Sequence, residues 1–169
     1  MVSVIMNCYN SSQFLSEAIN SVYAQTFKDW EIIFWDNAST DNTPEVAKNF
    51  DHKLRYFRSE TTFSLGQARN MALEKAKGEY IAFLDCDDFW LPEKLEKQIS
   101  ILEEKPEFGL CYTKMLRFNE NKEWTNHLEE GPVTFQSLLY VNTVPISSVV
   151  TRKSLIDKLH VSEVSILSK

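Results

Sequence analysis

The chain alternates short apolar strand patterns with helical patterns over its first 105 residues. Four strands are predicted, at Val2–Met6, Glu31–Trp35, Leu54–Arg58 and Tyr80–Leu84. A helical pattern follows each strand, at Phe14–Ala24, from Thr43 onward, around Ala68–Gly78 and from Pro92 to Lys105. Strands that alternate with helices pair in parallel, because each crossover returns the chain to the same edge of the sheet. The pattern predicts an α/β fold with a mixed, mainly parallel sheet and helices on both faces.

The periodicity is weaker in the rest of the chain. It predicts one or two strands in Leu110–Phe118, a helix at Phe135–Val141, a strand at Ser147–Thr151 and a last helix at Ser154–Leu159. Neither a linker nor an internal repeat interrupts the 169 residues, so a single domain is expected. Asn10 and Gln13 lie three positions apart before the first helix, which predicts a capping box there.

Charge and composition exclude several classes of protein. The net charge of −6 argues against nucleic-acid binding through a basic surface. The sequence contains no apolar run near the roughly 20 residues that a membrane-spanning helix needs. The first residues lack the pattern of a signal peptide, so a cytoplasmic protein is expected. The three cysteines are widely spaced without a CxxC pair, which predicts thiols in a reducing compartment rather than a disulfide or a zinc site.

Polar and acidic residues follow three of the predicted strands. In α/β sheets, ligands bind at the carboxyl ends of the strands, so these residues are candidates for a binding site. They are Asn7 to Asn10, Asp36 to Asp41 and Asp85 to Asp88. Taken singly, each group also has a structural explanation. Tyr9 fits a surface aromatic, the second group fits turn and capping residues, and Asp88 fits the positive end of the next helix.

The acidic group in the stretch YIAFLDCDDFWL is harder to explain structurally. Residues two apart in an extended segment point to the same side, so Asp85 and Asp87 are expected side by side. Two carboxylates that close repel each other unless a cation lies between them. Mg²⁺ or Mn²⁺ fits, because both prefer oxygen ligands and complete their shells with water and phosphate. The stretch therefore predicts a metal site that holds a phosphate compound.

Several phosphate-binding classes are excluded by missing motifs. The sequence has neither GxxxxGK[ST] nor a GxGxxG after the first strand, and it contains only four glycines. A receiver domain would need an acidic pair after the first strand, where Asn7, Cys8 and Tyr9 stand. A nucleotidyltransferase would usually have a glycine-rich loop at that place, and Asn7 to Ser12 contains no glycine.

Five stretches, in order and with the usual spacing, carry a resemblance to a known family. They are VSVI through Tyr9-Asn10, QTFKDWEII at 25–33, DNASTDNT at 36–43, GQARN at 66–70 and GEYIAFLDCDD at 78–88. In these stretches the chain resembles glycosyltransferase family 2, whose members have the GT-A nucleotide-diphospho-sugar-binding fold. The resemblance covers about the first 115 residues strongly and continues through Ser147–Val150 and Arg152–Ser154.

The resemblance implies roles for the residues at the strand ends. Tyr9 would lie against the nucleotide base, and Asp36 and Asn37 would face the hydrogen-bonding edge of the base. Many relatives have two acids there, so Asn37 is a departure; because an amide both donates and accepts, the choice of base stays open. Arg69 would lie near the acidic group or the diphosphate, with a surface arginine on a helix as the alternative.

The acidic residues would serve the metal and the ribose. The resemblance implies that Asp87 ligates Mn²⁺ or Mg²⁺ directly and that Asp85 contacts the ribose or a metal-bound water. Asp88 has the least defined role of the three.

The activity implied is transfer of a sugar from a nucleotide diphosphate donor to an acceptor hydroxyl, with inversion at the anomeric carbon. Relatives commonly build bacterial surface polysaccharide or glycolipid. A glycan or lipid-linked acceptor, and peripheral association with the cytoplasmic face of the inner membrane, are therefore expected. The alternative is a non-catalytic nucleotide-sugar-binding fragment or subunit.

The resemblance divides the domain into a donor-binding half, residues 1–118, and a partial acceptor-binding half, residues 119–169. The general base usually follows an Arg-Lys-Ser segment by some tens of residues. Here that segment is at 152–154, and only Asp157 and Glu163 lie between it and Lys169. The base is therefore expected to be absent, which predicts a poor catalyst. A shortened acceptor half is also expected to expose apolar surface from Val144 to Leu159 and so to favour a homo-oligomer.

Overall fold

A six-stranded mixed sheet forms the centre of the protein in a computed structural model that describes residues 1–119, 122–125 and 144–158. The strands that the structure describes are β1 (Val2–Cys8), β2 (Trp30–Asp36), β3 (Leu54–Arg58), β4 (Tyr80–Phe83), β5 (Leu110–Tyr112), β6 (Leu116–Asn119), β7 (Lys122–Thr125) and β8 (Val149–Arg152). The order in the large sheet is β3-β2-β1-β4-β8-β5, and β6 and β7 form a separate two-stranded sheet. The first four strands are parallel, whereas β8 runs antiparallel to both β4 and β5.

Helices pack on both faces of the large sheet because its buried strands have apolar side chains on both sides. The helices that the structure describes are α1 (Ser12–Tyr23), α2 (Thr43–Lys48), α3 (Leu65–Leu73), α4 (Lys94–Glu104) and α5 (Lys153–Ile156). On one face, Val4 and Phe34 lie in a core with Leu15, Ile19 and Leu95 from helices α1 and α4. On the other face, the core contains Ile5, Ile33 and Ile81 of the sheet with Ala68 and Ala72 of α3. The prediction of a mainly parallel sheet between helices is confirmed.

Three local predictions about helices are wrong or lie outside the described residues. Asn10 does not cap α1, because it adopts a positive φ of 51° and its Oδ1 accepts the Thr40 N–H at 2.8 Å. A capping box is present instead at α3, where Ser64 Oγ accepts the backbone N–H of Gln67. The last helix begins and ends earlier than predicted, at Lys153–Ile156. The predicted helix at 135–141 lies outside the described residues.

The prediction of free thiols is wrong for two of the three cysteines. Cys8 and Cys86 form a disulfide, with a Cα–Cα distance of 6.2 Å, although they are 78 positions apart in sequence. Cys8 ends β1 and Cys86 follows β4, and these two strands are paired neighbours, so the fold brings the residues together. The wide spacing of the cysteines in the sequence therefore did not predict their distance in the fold. Cys111 is the free cysteine.

Strand β8 corrects the expectation of exposed apolar surface after Val144. It lies between β4 and β5 in the sheet, and Val150 and Thr151 are buried. Of the described residues in 144–158, only a minority are exposed, and they lie in or next to α5.

Among the helices that the structure describes, none is long and apolar enough to cross a membrane.

Candidate nucleotide-binding site

A pocket opens at the carboxyl ends of β1 and β2, with a volume of about 260 Å³. Its walls come from three places: the end of β1, the residue after β2, and the segment that leads into α3. Tyr9 lines this pocket and is half exposed, at 51%. The lining residues are Asn7, Cys8, Tyr9, Asn37, Thr62, Phe63, Leu65 and Ala68. None of these side chains is ionised at neutral pH, so the pocket suits a flat, uncharged group.

The loop that carries Tyr9 is joined to the loop after β2 by hydrogen bonds. The backbone N–H of Asn10 donates to Ser39 Oγ at 3.0 Å, and that of Ser11 donates to Thr43 Oγ1 at 2.9 Å. Ser12 donates its backbone N–H to Asp41 Oδ2 at 3.1 Å. The position of Tyr9 is therefore set by polar residues between β2 and α2.

Asp36 lies beneath these loops, with a fully buried side chain. Its carboxylate accepts hydrogen bonds from Tyr56 Oη at 2.6 Å, from Arg58 at 2.6 Å and from the Ser39 backbone N–H at 2.8 Å. Burial raises the pKa of Asp36, but the hydrogen bonds from Tyr56 and Ser39 and the charge of Arg58 outweigh it and lower the pKa overall. The sequence had suggested that Asp36 faces the base; in the structure its carboxylate is surrounded by protein donors.

Asn37, the next residue, lines the pocket directly. Its Nδ2 donates to the Phe63 carbonyl at 2.9 Å, and its Oδ1 accepts the Phe63 N–H at 3.0 Å. Ser59 Oγ lies 3.3 Å from the same Oδ1. The amide therefore fixes the segment that forms the opposite wall of the pocket.

The acidic loop Asp85 to Asp88 begins two positions after Phe83, the last residue of β4. Arg69 of α3 donates to Asp85 Oδ1 at 3.3 Å, so the structure brings together two of the predicted site residues. Burial raises the pKa of Asp85; the charge of Arg69 lowers it, and the carboxylates of Asp88 and Asp87 raise it further. Asp87 is exposed and Asp88 is half-buried. The negative charges of Asp87 and Asp88 therefore act on Asp85, which also bonds Arg69.

Ser147 anchors the acidic loop, and the sequence had assigned it no role. Its hydroxyl accepts the backbone N–H of Asp85 at 3.0 Å, and its carbonyl accepts Trp90 Nε1 at 2.8 Å. Ser147 lies in the 3₁₀ turn Ile146–Ser148 that leads into β8. The sequence did contain a signal for Ser147, because the stretch Ser147–Val150 contributed to the family resemblance.

The acidic loop offers oxygen ligands for a divalent cation. Within residues 1–119, 122–125 and 144–158, no group of three or more side chains is arranged as a complete metal site. Mg²⁺ and Mn²⁺ do not require one, because they bind through one or two carboxylates and keep water and phosphate ligands. The mutual repulsion of the carboxylates near Asp85 is the conflict that such an ion removes. The donor set fits.

The pocket and the acidic loop lie next to each other, since Cys8 lines the pocket and Cys86, its disulfide partner, stands between Asp85 and Asp87. A family model described as Glycosyl transferase family 2 matches residues 3–158. The chain belongs to glycosyltransferase family 2. This membership agrees with the resemblance drawn from the strand-end motifs.

One relative within this family aligns with most of the chain. It is the Escherichia coli UDP-Glc:alpha-D-GlcNAc-diphosphoundecaprenol beta-1,3-glucosyltransferase WfgD, 34% identical over 93% of this chain and 62% of its own length. Three of the curated relatives that the chain matches are covered over 43 to 62% of their length, so it spans about half of each.

Solved structures share the fold. S. aureus TarS 1-349 in complex with UDP-GlcNAc superposes with a TM-score of 0.80 at 26% identity, over 93% of this chain and 46% of TarS 1-349. The mannosyltransferase PcManGT of Pyrobaculum calidifontis, solved with GDP-Man and Mn²⁺, superposes with a TM-score of 0.71 at 21% identity, over 94% and 46% of the two chains. The sheet of this family 2 chain is thus of the GT-A type.

Proposed function

We propose that this chain binds a nucleotide diphosphate sugar and, as part of an inverting glycosyltransferase, passes the sugar to an acceptor hydroxyl. The observation that carries the proposal is the adjacency of an uncharged pocket beside Tyr9 to a loop of three carboxylates at one sheet edge. The base would lie in the pocket against Tyr9, and the diphosphate would lie toward the acidic loop. The binding of UDP-GlcNAc by TarS, on the same fold, supports this arrangement.

The acidic loop would hold Mg²⁺ or Mn²⁺, with Asp87 as the direct ligand and Asp85 acting through water or on the ribose. Such an ion supplies positive charge against the leaving diphosphate. Arg69, which bonds Asp85, would orient that carboxylate and add a positive charge beside the diphosphate. Ser147 would keep the backbone of the loop in place. Asp36, whose carboxylate is fully engaged, would position the Tyr9 loop rather than touch the base.

The acceptor would be a glycan or a lipid-linked sugar at the cytoplasmic face of a membrane, in surface polysaccharide or glycolipid synthesis. The name of WfgD, which acts on a sugar joined to diphosphoundecaprenol, supports this class. Residues 1–118 would form the donor-binding half and residues 119–169 part of the acceptor-binding half.

A second candidate function is nucleotide-sugar binding without transfer. It is favoured by the position of Asp157, which is exposed and bonds Lys153 Nζ at 2.7 Å, so it is poorly placed to act as a general base. Glu163, the other acid in this region, lies outside the described residues. A missing base would slow transfer by roughly 10²–10⁴-fold.

A thermal-shift panel tests the binding proposal. UDP, GDP, CDP, ADP and their sugars are compared, each with and without Mn²⁺, because a ligand that binds only the folded state raises its stability. We expect at least one nucleotide to raise Tm in the presence of Mn²⁺ and to do so less without it. An unchanged Tm across the whole panel at millimolar ligand would contradict the proposal. Sugar transfer to an acceptor panel then separates the two candidate functions.

A further inference from the structure

The segment that carries Asp87 is attached at two points to one residue, Ser147. At the start of the segment, the backbone N–H of Asp85 donates to the Ser147 hydroxyl at 3.0 Å. Five positions later, Nε1 of Trp90 donates to the Ser147 carbonyl at 2.8 Å. Trp90 and Ser147 are buried, so these bonds lie in an interior where hydrogen bonds are stronger than in water. The two bonds close residues 85–90 into a loop with Asp87 near its middle.

The position of the Asp87 carboxylate depends on the backbone of this loop. Asp87 is exposed, and in the described part of the chain no residue donates a hydrogen bond to its carboxylate. On one side of Asp87, the backbone is held by the disulfide of Cys86. On the other side, the bond from Trp90 to Ser147 ties the loop to the turn before β8. That bond therefore helps to determine where the Asp87 carboxylate lies.

Ser147 is a firm anchor because the turn around it is bonded to other elements. Gln98 of α4 donates its Nε2 to the Ser148 carbonyl at 3.0 Å and to the Cys111 carbonyl at 2.9 Å. These bonds fix the turn to α4 and β5 without any contribution from Trp90. The turn is therefore expected to stay in place when the loop moves.

The chain beyond Trp90 is also fixed independently of the indole. Gln25 donates its Nε2 to the Leu91 carbonyl at 2.9 Å, and Thr26 donates its backbone N–H to the Pro92 carbonyl at 2.8 Å. Loss of the Trp90 N–H should therefore leave α4 and the core in place. Its effect should be confined to the loop that carries the carboxylates.

We propose that Trp90 is a positioning residue for the divalent cation: its indole N–H, acting through Ser147, holds the acidic loop in the form in which Asp87 binds the metal. The inference rests on the proposed function, since it takes Asp87 as the metal ligand. Without that N–H, the buried Ser147 carbonyl would lose its hydrogen bond, and the loop would be released at its second attachment. The Asp87 carboxylate would then sample several positions, and the cation would bind less tightly.

Trp90→Phe tests this role, because phenylalanine keeps an aromatic ring in the core and removes the N–H. Trp30→Phe is the matched control. Trp30 is 5% exposed, as Trp90 is, and a lysine nitrogen lies over each ring, at 4.3 Å for Trp30 and 4.1 Å for Trp90. Nε1 of Trp30, however, has no hydrogen-bond partner among the described residues. The control therefore repeats the loss of an indole without changing a bond of the loop.

The readout is the ratio of nucleotide affinities measured by calorimetry with Mn²⁺ and with EDTA, for the tightest nucleotide diphosphate of the panel. We expect Trp90→Phe to lower this ratio roughly three- to tenfold, the size of one lost hydrogen bond, and to leave the affinity in EDTA near that of the parent. Trp30→Phe should keep the parental ratio. An unchanged ratio in Trp90→Phe, an equal loss in Trp30→Phe, or an equal loss of affinity with and without Mn²⁺ overturns the inference.

Ser147→Ala releases the other attachment and keeps the carbonyl that Trp90 bonds, so it gives the same readout if Trp90→Phe does not fold. It should lower the same ratio. Because both bonds close one loop, the double variant should lose less than the product of the two single losses. Losses that multiply would contradict a closed loop. A parent that binds no nucleotide, or binds equally with Mn²⁺ and with EDTA, overturns the proposed donor site and this inference together.

Discussion

Asp36 illustrates, at the scale of one residue, how a carboxylate near a binding site can serve the fold. It accepts from Tyr56, Arg58 and Ser39, and its pKa is lowered although burial alone would raise it. A carboxyl group whose folded pKa is lowered stabilises the protein above its unfolded pKa of about 3.9. That stabilisation is lost as the pH falls through the folded value.

Asp36→Asn tests this role. The amide places an N–H group where one carboxylate oxygen accepted hydrogen bonds, and it removes the negative charge opposite Arg58, so we expect the free energy of unfolding to drop by about 1.5–3 kcal/mol at pH 7. The difference from the parent should shrink as the pH falls below about 4, because the unfolded parent then binds a proton that the folded carboxylate does not yet take up. Urea unfolding at pH 7 and pH 3 measures both effects. Equal stability of the two proteins at pH 7 would rule out the positioning role.

Tyr9 is the exposed aromatic of the pocket, and its ring is expected to lie against the base. Tyr9→Ala should reduce nucleotide affinity, since stacking on a base is worth about 1–3 kcal/mol in nucleic-acid complexes. Tyr9→Phe keeps the ring and should bind within about threefold of the parent. Calorimetric titration of the three proteins with one nucleotide diphosphate measures this, and Tyr9→Ala with parental affinity would leave Tyr9 without a binding role.

The family resemblance implied that both Asp36 and Asn37 face the edge of the base, and in the structure the two side chains have different surroundings. Asp36 ends β2, directly opposite Arg58 of β3 in the strand register, and is buried there. Asn37 follows the strand and reaches the pocket. Strand register between distant segments cannot be read from one sequence, so the bonds of Asp36 to Tyr56 and Arg58 were not predictable. The position of Tyr9 at a strand end was predictable, because it follows from the local sequence pattern alone.

At the scale of one element, α4 carries a buried lysine. Nζ of Lys94 lies 4.1 Å from the centre of the Trp90 ring and has no hydrogen-bond partner among the described residues. Burial lowers the pKa of Lys94 from 10.5 to about 7. Between these values the unfolded chain binds more protons than the folded one, so this group makes stability rise with pH from about 7 upward.

Lys94→Met should therefore stabilise the protein by an amount on the order of a few kcal/mol near neutral pH, because it removes the burial of a charge. The gain should decrease as the pH approaches 10. Lys97→Met is the matched control, since Lys97 is exposed on the same helix and pairs with Glu93. Thermal unfolding of the parent and both variants between pH 6 and 10 measures these differences in stability. A Lys94→Met variant that is less stable than the parent at pH 6 would contradict this explanation.

Elements were predictable where local periodicity defines them and less so where distant segments meet. The first four strands and the helices between them follow from apolar spacing. The insertion of β8 between β4 and β5 does not, because it depends on pairing between segments some 70 residues apart. The Cys8–Cys86 disulfide and the support of the acidic loop by Ser147 depend on similar long-range contacts.

At the scale of the whole molecule, the sheet brings the ends of β1, β2 and β4 to one edge. The pocket beside Tyr9 and the carboxylates after β4 are therefore neighbours, although Tyr9 and Asp87 are 78 positions apart in the sequence. We propose that both parts bind one ligand, with the base in the pocket and the diphosphate held at the acidic loop through a divalent cation. Nucleotide binding should therefore depend on a metal held by Asp87.

Calorimetric titration of a nucleotide diphosphate into Asp87→Asn, with Mn²⁺ and with EDTA, tests that claim most directly. We expect the parent to bind at least tenfold more tightly with Mn²⁺ than with EDTA, and Asp87→Asn to bind equally in both, near the metal-free value of the parent. Glu93→Gln, an exposed acid next to α4, serves as the control for the change in charge and should behave as the parent. An Asp87→Asn variant that keeps the full Mn²⁺ enhancement would contradict the account.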